Sequence, residues 1–136
     1  MLHALRRDLD VQPLLSNWQA LLDYLHAELA HRPVEHVRIL YLNSRNRLIK
    51  DELAAAGTID ACTVHVRDTI ARALELGAAA MIIVHNHPGG DPAPSRADID
   101  ITRHLVAAGK TLGIAVHDHL VMSASGHTSM RAMGLI

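Results

Sequence analysis

Ala79-Ala80-Met81-Ile82-Ile83-Val84-His85-Asn86-His87-Pro88-Gly89-Gly90-Asp91-Pro92-Ala93-Pro94-Ser95-Arg96-Ala97-Asp98 runs from an apolar hexapeptide through H-x-H and a Gly/Pro loop into S-x-x-D. The apolar run predicts a buried strand that ends at His85 and His87. Side chains two apart on a strand share a face, so the two imidazoles are expected side by side. The loop can bring Asp98 back to the same point. Two imidazoles and one carboxylate are the ligand types of a catalytic zinc site, whose fourth position is left to water. The stretch therefore points to a strand–loop–helix unit carrying a metal-dependent hydrolytic centre.

Each part of the pattern has a plainer reading. S-x-x-D opening a helix is also an ordinary capping box, and Pro94 favours a helix start because it pushes Ala93 out of helical geometry. The two roles are compatible: Ser95 can cap the helix while Asp98 faces the metal from its first turn. With eleven histidines in the chain, a single His says little, so spacing must carry the argument. His117-Asp118-His119 is a second H-x-H. On a strand, His117 and His119 would share one face and Asp118 the other. They could support the first pair by hydrogen bonding, form a separate metal site, or be polar residues of a partly exposed strand.

Working outward, Ser16-Asn17-Trp18-Gln19 is a capping-box pattern. Trp18, Leu21, Leu22, Leu25 and Leu29 follow helical spacing until Pro33 stops the helix. Val34 to Leu42 reads as a strand, Asn43-Ser44-Arg45-Asn46 as a turn, and Arg47 to Leu53 as the returning strand of a hairpin. Gly57 marks a break. A second helix is predicted from Arg67 to Leu76, with Ile70 and Leu74 inward and Gly77 as its cap. A third runs from about Arg96 to Lys110, with Ile99, Thr102, Val106 and Gly109 on one face. Ile114 to Met122 is a fourth strand, Ser125-Gly126 a turn, and the last residues add an edge strand. The fold class is mixed α/β, a central mixed sheet flanked by helices. Residues 1–14 lack a clear period and read as a lead-in to one domain over 15–136.

Composition narrows the function. A chain of 136 residues that is 49% apolar suits one packed domain. The net charge of −1 and the absence of a basic block argue against a strong sequence-independent grip on nucleic acid. Two Tyr, one Trp and no Phe are a poor supply of stacking platforms for single strands. The lone Cys62 excludes an internal disulfide and a Cys-rich zinc site, and fits a cytoplasmic location. No run reaches membrane-spanning length, and residues 1–10 lack the apolar core of a signal peptide.

A glutamate upstream of H-x-H-x7-S-x-x-D resembles the JAMM motif of JAB/MPN-type metallopeptidases. Leu42-Asn43-Ser44-Arg45-Asn46-Arg47-Leu48-Ile49, Gly57-Thr58-Ile59-Asp60, Arg72-Ala73-Leu74-Glu75-Leu76-Gly77-Ala78, Val84-His85-Asn86-His87-Pro88, Leu112-Gly113-Ile114 and Asp118-His119-Leu120 are similar to blocks of the bacterial RadC family. The similarity runs from about residue 16 to the C-terminus. It implies a single JAB/MPN-like domain of cytidine-deaminase-like architecture. It further implies one zinc ion per chain held by His85, His87 and Asp98, with Ser95 helping to hold a tetrahedral intermediate. Glu52, just before Gly57-Thr58-Ile59-Asp60, takes the place of the upstream glutamate, the general acid/base. On the residues alone, Glu52 is a polar residue on a strand.

The implied reaction is hydrolysis of an amide or isopeptide bond in a protein or peptide substrate by a zinc-activated water. The family's link to DNA repair offers a second expectation, an interaction module with a structural zinc and little hydrolysis. Zinc nucleobase deamination fits less well, because that class uses H-x-E followed by P-C-x-x-C. The sequence leaves the oligomeric state open. Relatives often carry an N-terminal helix-hairpin-helix region, so the chain is expected to be a short member or an excised domain.

Overall fold

A computed structural model describes residues 17–57 and 64–136. The lead-in over 1–14, Ser16 of the first capping box, Thr58-Ile59-Asp60 and Cys62 lie outside the described residues. The elements are α1 (Trp18–Leu29), β1 (Glu35–Leu42), β2 (Leu48–Gly57), α2 (Val66–Leu76), β3 (Ala80–Asn86), α3 (Arg96–Leu112), β4 (Ala115–Ser123) and β5 (Gly126–Ser129). The strands form one sheet in the order β2-β1-β3-β4-β5. β3 and β4 are parallel, and the other pairings are antiparallel. This mixed α/β architecture is the one predicted. Among the described residues, no helix is long and apolar enough to cross a membrane.

The sheet is covered on both faces, which is why β3 is an unbroken apolar run. All its residues are buried, as expected of a central strand with helices above and below. Leu40, Leu42, Ile82, Val84, Leu120 and Met122 pack under Leu21, Leu25 and Leu29 of α1. Each buried leucine contributes roughly 1.5–3 kcal/mol, so the apolar stripe of α1 suffices to dock it. On the other face Val37, Ile39, Tyr41, Met81, Ile83 and Val116 meet Ile70 and Ala73 of α2 and Leu105 of α3. A partly buried ion pair, Arg38 Nη2 to Asp51 Oδ2 at 2.6 Å, with Tyr24 Oη 3.0 Å from the same carboxylate oxygen, ties the hairpin to α1.

The hairpin turns at residues 43–46. Asn43 Oδ1 accepts from the backbone N–H of Arg45 and Arg47, and Asn46 takes a left-handed φ of 59°, a conformation Asn tolerates better than most residues. The link from β3 through α3 to the parallel β4 is the usual answer to joining parallel neighbours. α3 lies close against the start of β4: a Cβ on Gly109 would sit 2.3 Å from the Ile114 carbonyl oxygen, so only glycine permits this approach.

Several expectations change. β2 continues through the alanines to Gly57, since a pairing partner on β1 overrides weak local propensity. Leu74 is 54% exposed rather than inward; Thr69, Ile70 and Ala73 form the buried face of α2. On α3, Thr102, Leu105 and Gly109 are buried, while Ile99 and Val106 are only half-buried. α1 begins after Asn17 without a side-chain cap. The edge strand expected at the C-terminus is β5, which closes directly on β4.

Candidate metal centre

The centre forms where β3 ends and α3 begins. This is the crevice at the carboxyl end of a parallel strand, where α/β folds commonly place ligands. His85 is on β3, and His87 lies just beyond it, held by its backbone N–H on Met122 O at 2.9 Å. Their Nε2 atoms approach to 2.8 Å. The loop doubles back: Gly90 N–H donates to His87 O, and Ser125 Oγ donates to Gly90 O. His87 Nδ1 is 3.0 Å from the Asp91 carbonyl oxygen. A carbonyl can only accept, so this nitrogen carries the proton and Nε2 of the neutral ring presents its lone pair.

α3 opens with the predicted capping box. Ser95 Oγ accepts from Asp98 N–H at 3.0 Å, and Asp98 Oδ2 accepts from Ser95 N–H at 2.9 Å. The same Oδ2 lies 3.3 Å from His85 Nε2 and 3.5 Å from His87 Nε2. Cap and cluster are thus one structure: the Asp98 that closes the capping box also stands beside the two imidazoles.

The fourth group is one the motif spacing did not identify. Glu35 Oε1 is 3.7 Å from both Nε2 atoms, and the residue is 5% exposed. It is there because β1 runs antiparallel to β3 with Val37 opposite His85. Two residues back on the same face, Glu35 stands beside His87. Asn86 fixes it in place. Its side chain, fully buried, accepts from His36 N–H at 2.7 Å and donates to Val34 O at 3.1 Å and Arg32 O at 3.3 Å. The residue between the two histidines therefore holds the backbone on both sides of Glu35. The alternation of Glu35, Val37, Ile39 and Tyr41 was a usable signal, but it needed the β1–β3 register.

Glu52 is not part of this cluster. It pairs with Ile39, four residues along β1 from Glu35, which is about 13 Å of strand. Its carboxylate is engaged by Arg72 Nε and Nη2 at 3.0–3.1 Å and by Lys50 at 3.6 Å. Glu52, expected as the general acid/base, thus lies away from the histidines: β2 is one strand removed from β3, and the glutamate beside them is Glu35.

The second H-x-H is split. A register shift in the β3–β4 ladder sets Val116 opposite Met81 but Asp118 opposite Ile82, so His117 and His119 do not share a face. His119 is buried, with Nε2 2.6 Å from His85 Nδ1 and Nδ1 2.6 Å from Thr102 Oγ1. His117 turns to Asn46 Oδ1 at 2.8 Å. Asp118 binds its neighbour His119 N–H, Arg131 N–H and the Ser129 hydroxyl, fastening the C-terminal turn. Only His119 supports the centre.

The local field suits a cation. Burial raises the Glu35 carboxyl, an effect opposed by the two histidines and reinforced by Asp98. Burial acts against the Asp98 carboxylate as well, but the two imidazoles beside it and the Ser95 backbone N–H outweigh it and hold Asp98 below the usual range. Burial drives His119 well below the ordinary imidazole value. Four electron-pair donors thus converge, with contacts of 2.8–3.7 Å. Ligands about 2.0–2.1 Å from one tetrahedral zinc would lie about 3.3–3.4 Å apart. The donor set fits a metal ion; Glu35, His85 and His87 alone offer three ligand atoms within 4.8 Å of one another.

Fold and centre define a mixed α/β domain with a His–His–carboxylate cluster that could hold a metal ion at the end of a parallel strand. The model of the RadC-like JAB domain matches residues 15–135, and the chain belongs to that family. A relative in Rhodobacter capsulatus, described as a UPF0758 protein, is 52% identical over 125 residues, covering 92% of this chain and 58% of the relative. The chain thus spans a little over half the length of that curated relative.

Proposed function

We propose that this domain is a zinc-dependent hydrolase of amide or isopeptide bonds. The observation that carries the reading is the gathering of the Asp98 and Glu35 carboxylates around the paired Nε2 atoms of His85 and His87. The Asp98 oxygen lies nearer both Nε2 atoms, at 3.3 and 3.5 Å, than the Glu35 oxygen does at 3.7 Å, so His85, His87 and Asp98 are assigned to the metal and Glu35 to the proton. When bound, zinc supplies Lewis acidity, lowering the pKa of a water toward neutrality and polarising a carbonyl.

Glu35 accepts the proton of the attacking water and returns it to the departing amine as the carbon–nitrogen bond breaks and the carbon–oxygen bond forms. Its raised carboxyl value suits a group that must both take and give a proton. The cap uses Ser95 Oγ as an acceptor, which leaves the hydroxyl hydrogen to donate to the developing oxyanion. The adjoining cleft, about 560 Å³ and lined by Gly89, Ala93, Ala97 and Asp91 as well as the site residues, receives the peptide. The substrate is a protein or peptide, and the roles assigned earlier to Glu52 pass to Glu35.

The test is metal analysis joined to a hydrolysis screen. Purified protein should hold about one zinc per chain, and the zinc-loaded form should cleave members of a peptide and isopeptide library, read by mass spectrometry. His85→Ala should lose both. Failure to take up zinc after supplementation, or no cleavage by a fully loaded protein, overturns the reading.

A further inference from the structure

Behind His85, away from the metal position, runs a buried chain of hydrogen bonds that the hydrolytic reading does not use. His85 Nδ1 meets His119 Nε2 at 2.6 Å, His119 Nδ1 meets Thr102 Oγ1 at 2.6 Å, and Thr102 Oγ1 meets the Asp98 carbonyl oxygen at 2.6 Å. His85, His119 and Thr102 are at most 3% exposed.

The direction of every proton follows from the last link. The Asp98 carbonyl can only accept, and Thr102 has one hydroxyl hydrogen, so the hydroxyl donates to it. Thr102 Oγ1 can then only accept from His119, whose Nδ1 must carry a hydrogen. A neutral, buried His119 has no second hydrogen to give, so its Nε2 accepts from His85 Nδ1–H. His85 is left with a bare Nε2, the atom that faces His87, Asp98 and Glu35.

We propose that Thr102, acting through His119, is a positioning residue that selects the metal-binding tautomer of His85. Free imidazole in water has no such bias toward the Nδ1–H form; here a helix carbonyl imposes it through two side chains. The carbonyl belongs to Asp98, itself assigned to the metal, so one residue sets the third ligand with its side chain and the tautomer of the first with its backbone. Orienting partners of this kind typically matter about 10–100-fold in metal affinity. The inference rests on the metal reading, but its direct readout needs no metal.

Long-range 1H–15N spectra of the metal-free protein test it. Wild type should show His85 and His119 both protonated at Nδ1. Thr102→Val removes the hydroxyl at nearly constant volume. It leaves His119 Nδ1–H without an acceptor, so His119 should move its proton to Nε2 and donate to His85 Nδ1. His85 then becomes protonated at Nε2, and zinc affinity should fall by about 10–100-fold. Thr102→Ser should restore tautomer and affinity together. An Nε2–H form of His85 in wild type, or an unchanged His85 tautomer in folded Thr102→Val, overturns the proposal. Should Thr102→Val not fold, the wild-type spectrum and Thr102→Ser decide, since serine must keep the wild-type pattern. A wild type that shows the Nδ1–H tautomer yet binds no zinc would overturn the hydrolase reading and leave this assignment standing.

Discussion

Glu35 and Glu52 sit on neighbouring strands and face the same side of the sheet, where Glu52 pairs with Ile39. Their chemistry is opposite. Glu35 is buried among imidazoles, and burial raises its carboxyl. Glu52 is partly exposed and held by Arg72, whose hydrogen bonds lower its carboxyl. A guanidinium locks a carboxylate in its charged form. Burial, by disfavouring the charged form, brings the protonated form within reach. Residue type and strand face are shared by the two glutamates; the neighbours decide which can do acid–base work.

The largest expected effect tests that contrast directly. Glu35→Gln should lower hydrolysis by about 10²–10⁴ while zinc content stays at the wild-type level, because an amide cannot take the water's proton. Steady-state rates beside metal analysis check this. A fully active Glu35→Gln protein with an inactive Glu52→Gln protein would invert the comparison. Next in size is Asn86→Ala, which strips partners from buried backbone groups on both sides of Glu35. Leaving such groups unsatisfied costs about 1–3 kcal/mol, read from urea midpoints, and activity should fall further than stability explains. Unaltered activity in that variant would show that Glu35 is held by other means.

The smallest effect belongs to Glu52→Gln. Activity should be unchanged, and stability should drop by about 1 kcal/mol or less at neutral pH, as for partly exposed ion pairs. The sign is fixed by the lowered carboxyl value. The wild-type advantage is present above the ordinary 4.5 and is lost as pH falls through the lower folded value. Urea midpoints of the two proteins should therefore converge in acid. A difference that widens on acidification would contradict the Arg72 pairing.

Much of this was legible in the chain. His85, His87, Ser95 and Asp98 lie within fourteen residues of one another, and a strand end followed by a capping box constrains them without knowledge of the rest of the fold. Glu35 is fifty residues from His85 in sequence and comes close only through the β1–β3 register, which no local pattern encodes. The likeness of β2 to its relatives drew attention to Glu52, one strand further out. The second H-x-H misled for a related reason: strict alternation predicts a shared face, and an irregularity of one residue in the ladder removes it. Leu74 obeyed the helical period but lies off the face of α2 that Thr69, Ile70 and Ala73 bury.

Glu35, His85 and His119 hang from β1, β3 and β4, each with a strand on both sides, whereas β2 and β5 are the edges. Local openings in sheets begin at edges and termini, at a fraction of the global unfolding free energy. Fluctuations that release β2 or β5 therefore leave the candidate metal centre assembled, and only events that part the central strands dismantle it. In amide exchange, the protons of residues 81–86 should be among the last to be lost, those of β2 earlier. The centre thus shares the cooperative unit that defines the fold, and its resistance to heat or denaturant should follow that of the whole domain.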